Sequence, residues 1–73
     1  MRLDPGDPVV ATRILGDAGS GYVDRGTDGT VVRPDAGGLG TQETYTVVFI
    51  SHGFLADTLT TLSGLAASDL RKR

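Results

Sequence analysis

Apolar and β-branched side chains concentrate in two segments near the middle of the chain. The segment Tyr45–Ile50 is the longest run of β-branched and aromatic residues, and Gly29–Arg33 contains a shorter run of the same kind. Residues of this type pack well on a pleated, half-buried surface, so such runs are typical of strands. We therefore predict a second strand over Gly29–Arg33 and a third over Thr44–Ile50, at the centre of a small all-β domain.

Two further segments carry a weaker strand pattern. Pro8–Leu15 predicts the first strand, because proline is tolerated at the first position and several β-branched residues follow it. Phe54–Thr61 predicts the fourth strand, since its threonines favour extended structure. A helix is the rival interpretation there, because Leu55, Leu59 and Leu62 recur at helical spacing.

Glycine and turn-forming residues separate these strands. Gly16–Asp28 is predicted to be a loop, and Asp35–Glu43 a second loop and the segment most prone to disorder. Turns are predicted at Ser51–Gly53 and at Ser63-Gly64. Leu65–Leu70 is consistent with a short fifth strand, a single helical turn, or one after the other.

Composition limits the class of protein. The chain has 73 residues, 11 of them glycine, no cysteine and a net charge of −2. This length predicts one domain over residues 1–73, and the glycine content favours a turn-rich β fold over a helical bundle. The lack of cysteine, of a long apolar run and of an apolar core in Met1–Gly6 leads us to expect a cytoplasmic protein that does not contact membranes.

Four short motifs occur in a recognisable order. They are Gly6–Val9, Gly26–Val32, Tyr45–Phe49 and Asp69-Leu70. In this order they resemble the SH3-like barrels of the electron-transport accessory group, over roughly Gly6–Leu70. That group includes a peripheral subunit of photosystem I, the variable chain of ferredoxin–thioredoxin reductase and the C-terminal domain of the nitrile hydratase β chain.

The nitrile hydratase β pattern is similar in most detail. Its Arg-Gly-x-x-Gly-x-Val segment corresponds to Arg25–Val31, and its later Gly-Leu-Gly and Tyr-Thr-Val-x-Phe correspond to Gly38–Gly40 and Tyr45–Phe49. Val48 stands where those chains usually carry arginine. The resemblance implies a five-stranded SH3-like barrel with glycine-rich loops and a non-catalytic, subunit-like role with no cofactor.

Strand alternation within Tyr45–Ile50 suggests a binding surface. If Tyr45, Val47 and Phe49 point inward, Val48 and Ile50 share the outer face, unless loops cover both faces of so small a domain. Phe54 adjoins this strand. Tyr22-Val23 is the only bulky apolar pair in the first loop, and either the pair pins this loop onto the core or Tyr22 binds a partner. We predict that a protein partner binds Tyr22, Val48, Ile50 and Phe54. The changes Val48→Asp and Ile50→Asp together should then abolish binding without unfolding the domain.

Other functional classes have weaker support. Arg2, Arg13 and the basic residues Arg71–Arg73 are consistent with a KOW-type module that contacts nucleic acid or the ribosome, which the acidic total disfavours. His52 is the only histidine, and Asp57 is the carboxylate that follows it most closely. Because catalysis needs an oriented partner in a cleft, we predict no enzymatic activity and no metal site.

Overall fold

The computed structural model describes residues 3–35 and 43–73, and every extended segment in it belongs to an antiparallel sheet. The strands are β1 Pro8–Ala11, β2 Leu15–Asp17, β3 Gly21–Val23, β4 Asp28–Pro34, β5 Thr44–His52, β6 Asp57–Ala66 and β7 Leu70–Lys72, with a 3-10 helix at Ala67–Asp69. The prediction of an all-β fold is confirmed. Within the described residues, no helix is long and apolar enough to cross a membrane. Residues 36–42 of the second predicted loop lie outside the described part of the chain.

Five strands form the larger sheet in the order β6-β5-β4-β1-β7, and β2 and β3 form a separate hairpin. β4, β5 and β6 make a meander of successive antiparallel neighbours. β1 joins this meander beside β4 and carries β7 on its other side. Among the described residues, β6 and β7 are therefore the two edges of an open five-stranded sheet.

The core lies on the inner face of this sheet and below the β2–β3 hairpin. The prediction for the central strand is confirmed, because Tyr45, Val47 and Phe49 are each exposed by no more than 1%. Val47 faces Val31 on β4 and Leu62 on β6, so the three strands bury one apolar row. The other buried apolar residues are Leu3, Val9, Ala11, Leu15, Val23, Leu65 and Leu70.

The first predicted strand is too long, and the loop after it is more ordered than predicted. β1 ends at Ala11, and Thr12 then leaves the sheet to donate hydrogen bonds to the Asp69 carbonyl at 3.0 Å and the Ser68 carbonyl at 2.9 Å. Leu15, the last residue of the predicted first strand, begins the β2–β3 hairpin, and the rest of this hairpin lies inside the predicted loop Gly16–Asp28. Two strands of three residues are too short to show a clear apolar period, which is why the pattern does not reveal them.

The fourth strand begins later than predicted and ends later. Phe54 lies in the turn, and β6 runs from Asp57 to Ala66, so both the start at Phe54 and the rival helix are wrong. The predicted turn at Ser63-Gly64 is instead a bulge in β6, where Gly64 has φ 72° and the β5 register shifts. After β6 comes the 3-10 helix and then β7, which includes two of the three basic residues that end the chain.

Candidate interaction surface

Three adjacent strands expose an apolar surface on the side of the sheet away from the core. We call this side of β4, β5 and β6 the outer face. Its apolar members are Val32, Val48, Ile50 and Leu59. Val48 and Ile50 occupy alternate positions of β5 from the buried Val47 and Phe49, so pleating alone places them outward.

The strand register brings residues of the outer face together. Ile50 on β5 is directly opposite Leu59 on β6, and Val48 lies between Thr30 on β4 and Thr61 on β6. Neighbouring strands lie about 4.8 Å apart, so directly opposed side chains contact one another across the ladder. Ile50 and Leu59 are thus one contiguous apolar pair. Val48 lies two residues before Ile50 on the same face of β5.

Val32 on β4 belongs to the same surface and lies at a bulge. Val31 pairs with Val47 and Arg33 pairs with Thr46, which leaves Val32 as the extra residue of β4. An extra residue at a bulge reorients the side chains around it. Val32 is 43% exposed and follows the buried Val31, as the alternation of side chains along a strand requires. The outer face therefore has apolar groups on all three of its strands.

The residues of the outer face differ in the fraction of each residue that is exposed to solvent. Leu59 is 67% exposed and Ile50 is 37% exposed, whereas Val48 is half-buried. A contiguous set of exposed apolar side chains is more informative than scattered single residues, because it marks a candidate contact site. Since Val48 is already partly covered, an aspartate there would also cost folding free energy, and Ile50 is the better probe of binding.

The turn between β5 and β6 presents two more apolar side chains. Phe54 is 100% exposed and Leu55 is 92% exposed. The turn is closed by a backbone hydrogen bond of 3.1 Å from Gly53 N–H to the Ala56 carbonyl. These side chains therefore extend from a structured turn at one end of the outer face.

Tyr22 belongs to a different part of the molecule. It lies on β3, opposite Gly16 in the two-stranded sheet, and it is 63% exposed. Its neighbour Val23 is 1% exposed and fastens this hairpin to the core, so the expectation that the pair pins the loop holds for Val23 and not for the tyrosine ring. Of the predicted binding residues, the structure brings Val48 and Ile50 together, places Phe54 at the adjoining turn and puts Tyr22 on the other sheet.

Sequence reasoning did not assign Val32, Leu55 or Leu59 to the surface. Leu59 could be found by counting pairs outward from the β5–β6 turn, since His52 opposite Asp57 implies Ile50 opposite Leu59. That count requires the turn to be placed correctly, and the predicted turn at Ser51–Gly53 is displaced. Val32 follows the buried Val31, so alternation within the predicted strand Gly29–Arg33 is the signal that could have placed it on the outward side.

At the end of the outer face beside β4, the Asp35 carboxylate accepts hydrogen bonds from β5 and β6. Asp35 accepts hydrogen bonds from Thr46 Oγ1 at 2.5 Å, Thr44 Oγ1 at 3.2 Å and Gly64 N–H at 2.9 Å. The bond from Thr46, followed by the bond from the Gly64 amide, lowers the pKa of Asp35 from its usual 3.8. Thr46 is only 3% exposed although it lies on the outward side of β5, because this cluster covers it.

The polar residues near the surface form local pairs. His52 Nδ1 lies 3.0 Å from Asp57 Oδ1 across the β5–β6 ladder, and both side chains are largely exposed. Asp17 accepts hydrogen bonds from the N–H groups of Gly19 and Ser20, which is the usual local bonding of an aspartate in a turn. In residues 3–35 and 43–73, no group of three or more potential ligands is placed to hold a metal ion.

Several basic residues are paired with carboxylates. Arg13 Nε donates to Asp69 Oδ1 at 2.8 Å. Lys72 Nζ lies 3.6 Å from Asp7, and Arg73 lies 3.3 Å from Asp28. These ion pairs connect β1, β4 and the end of the chain, and they reduce the positive potential available to bind phosphates.

The chain matches no protein-family model, no curated protein and no solved structure.

Proposed function

We propose that this domain is a non-catalytic interaction module that binds a protein partner and modulates the partner's assembly or activity. The observation that carries the proposal is the contiguous apolar outer face, with Ile50 and Leu59 directly opposed and exposed. Burying such a surface stabilises a complex by roughly 25 cal/mol for each Å² of apolar area removed from water. The exposed Phe54 extends the contact at the β5–β6 turn.

An SH3-like barrel that stays open at its β6 and β7 edges is the architecture that we propose for the fold. It is supported by the five antiparallel strands of the larger sheet, by the β4–β5–β6 meander and by the 3-10 helix directly before the last strand. The resemblance of the sequence motifs to those of the accessory group also supports an SH3-like barrel. A scaffold of this kind holds the outer face rigid, which limits the entropy lost on binding.

The experiment uses the whole chain as bait in a pull-down from a lysate of the native cell. The test variant carries Val32→Asp with Ile50→Asp, two exposed positions whose replacement adds two negative charges to the outer face. The matched control carries Ser20→Asp with Ser68→Asp, which adds the same charge at exposed positions away from that face. Circular dichroism establishes that each variant is folded.

We expect a stoichiometric protein partner to be captured by the wild type and by the control, and to be lost with the outer-face variant. Buried, unpaired carboxylates strongly disfavour an apolar interface, so the loss should be complete at ordinary bait concentrations. If the folded outer-face variant captures the same partner as well as the wild type does, the proposal is wrong.

A nuclease-treated sample separates the alternative, a KOW-type module. Arg71 lies on β7 and is available to contact a phosphate, which gives that alternative one favourable observation. Material that is recovered only without nuclease, with binding that weakens steeply as salt rises, would support nucleic-acid contact. A partner that survives both nuclease and salt supports the protein-binding proposal.

A further inference from the structure

Among the described residues, the edge of the larger sheet at β6 has backbone hydrogen-bonding groups that no other strand pairs. β6 pairs with β5 on one side only, and no other described strand pairs with its second side. In an antiparallel ladder, alternate residues direct both N–H and C=O away from the partner strand. Thr58, Leu59 and Thr61 are exposed, so this edge is accessible to another strand.

The free part of this edge covers the first half of β6. In the second half, Gly64 N–H donates to Asp35 and Ala66 N–H donates to Asp69, so side chains supply acceptors there. β3 approaches Thr60 from Gly21 but does not pair with it. Thr58–Leu62 is therefore the stretch that can accept a further strand.

The two edges of the sheet differ in their protection. β7 has three residues, and Arg71 and Lys72 are two of them. Short length and cationic side chains are the usual means by which proteins prevent edge-to-edge association. β6 has ten residues and contains no lysine, arginine or proline, and its one charged residue, Asp57, lies at the start.

We propose that β6 pairs with β6 of a second copy of this chain, forming a two-fold symmetric, antiparallel edge contact. The free stretch is uncharged between Thr58 and Leu62, so within that stretch a second copy brings no like charges together. A two-fold contact is self-complementary by construction, and one free edge satisfies both partners. The proposal does not depend on the identity of any other partner.

The register of the proposed β6–β6 pairing is set by the requirement that paired residues of the two copies lie on the same face of the sheet. A two-fold axis through Thr60 places Leu59 of one copy beside Thr61 of the other, and both residues lie on the outer face. The row Ile50–Leu59 of one copy then continues into Thr61 and Val48 of the second copy. The two outer faces become one continuous surface, which doubles the apolar area offered to a partner.

The first test is the molar mass of the purified chain in solution. By sedimentation equilibrium we expect the weight-average mass to rise from 7.6 kDa toward twice that value. The measurement should span a roughly hundredfold range of concentration, because an edge contact belongs to the small, weak class of interfaces. Amide hydrogen exchange measured at the two ends of this range reports on the backbone directly.

The test variant is Thr61→Lys, which places two lysines close to the two-fold axis. The matched control is Thr30→Lys, an exposed threonine on the same outer face but two strands away from the edge. We expect Thr61→Lys to weaken self-association by at least about tenfold. Thr30→Lys should leave it within about threefold, since its lysine lies outside the contact.

The exchange experiment keeps the test decisive if the variants behave alike. We expect alternate amides of Thr58–Leu62 to gain protection as concentration rises, while amides of β7 do not change. A mass of 7.6 kDa throughout the range, with exchange independent of concentration, would overturn the proposal. Equal weakening by Thr30→Lys and Thr61→Lys would overturn it too, by placing the contact on the outer face instead.

The outcome is separable from that of the proposed function. Failure of self-association leaves partner capture by the outer face unaffected, and the Val32 and Ile50 variant remains its test. A monomer whose β6 amides become protected only with a lysate partner bound would show a different occupant of the edge, and it would refute the dimer.

Discussion

Replacing Asp35 with asparagine tests whether one carboxylate holds the end of the sheet together. Asp35 follows β4 directly and binds Thr44 and Thr46 at the start of β5 and the Gly64 amide in the β6 bulge. It therefore links three strands that are distant in sequence. In Asp35→Asn the negative charge is lost and one acceptor oxygen becomes an NH2 donor, so a threonine hydroxyl must accept where it donated and none of the remaining bonds is charge-assisted.

The loss of folding stability in Asp35→Asn can be estimated from the hydrogen bonds that are weakened. A hydrogen bond to a charged group contributes about 1.5–3 kcal/mol when it is buried. Asp35 is half-buried, so solvent screening reduces this figure, and we expect a total loss of about 2 kcal/mol for the variant. Domains of this size have roughly 0.1 kcal/mol of stability per residue. The melting temperature should fall by roughly 8–16 °C.

The difference in free energy of unfolding between wild type and Asp35→Asn should depend on pH. The pKa of Asp35 is lower in the folded protein than its usual 3.8, so folding is favoured by the ionised form. The stabilisation is fully present above that usual value and is lost as pH falls through the lower, folded-state pKa. The difference between wild type and Asp35→Asn should be largest near neutral pH and should shrink as the solution becomes more acidic.

Urea unfolding followed by circular dichroism, repeated from neutral to acidic pH, measures this difference. The control is Asp24→Asn, because the Asp24 side chain is exposed and makes no hydrogen bond with the described residues. We expect the control to match the wild type to within about 0.5 kcal/mol at every pH. A difference for Asp35→Asn that stays constant down to acidic pH would refute the role of the ionised carboxylate.

Three further changes test other parts of the fold by urea denaturation. Gly29→Ala should cost about 1–3 kcal/mol, because a Cβ there would lie 2.8 Å from the Phe49 ring; the control Gly19→Ala has open space apart from one contact at 3.4 Å and should cost less. Asp69→Ala should cost about 2–3 kcal/mol, since it leaves the Ala66 N–H without its acceptor, and a cost near zero would contradict this account of the 3-10 turn. Phe54→Ser should change stability by no more than about 0.5 kcal/mol, because the ring is 100% exposed, and marked unfolding would show that the ring packs on the domain.

The candidate surface could be predicted only in part. Alternation within β5 places Val48 and Ile50 on one face, and this needs no knowledge of any other strand. Whether that face is covered depends on what packs against it, which a local pattern does not encode. Leu59 joins the surface through the β5–β6 register, and Tyr22 is separated from it because the β2–β3 hairpin is a sheet of its own.

The sequence alone determined the all-β class and the central strands, because β-branched and aromatic runs bounded by glycine are a local property of the chain. It also determined which residues of β5 share a face, since strand pleating has a period of two residues. Only the tertiary structure decided the strand order, the bulges beside Val32 and Gly64, and the exposure of β6 as an edge. These features depend on pairing between distant segments, and their energy comes from contacts that no single stretch of sequence contains.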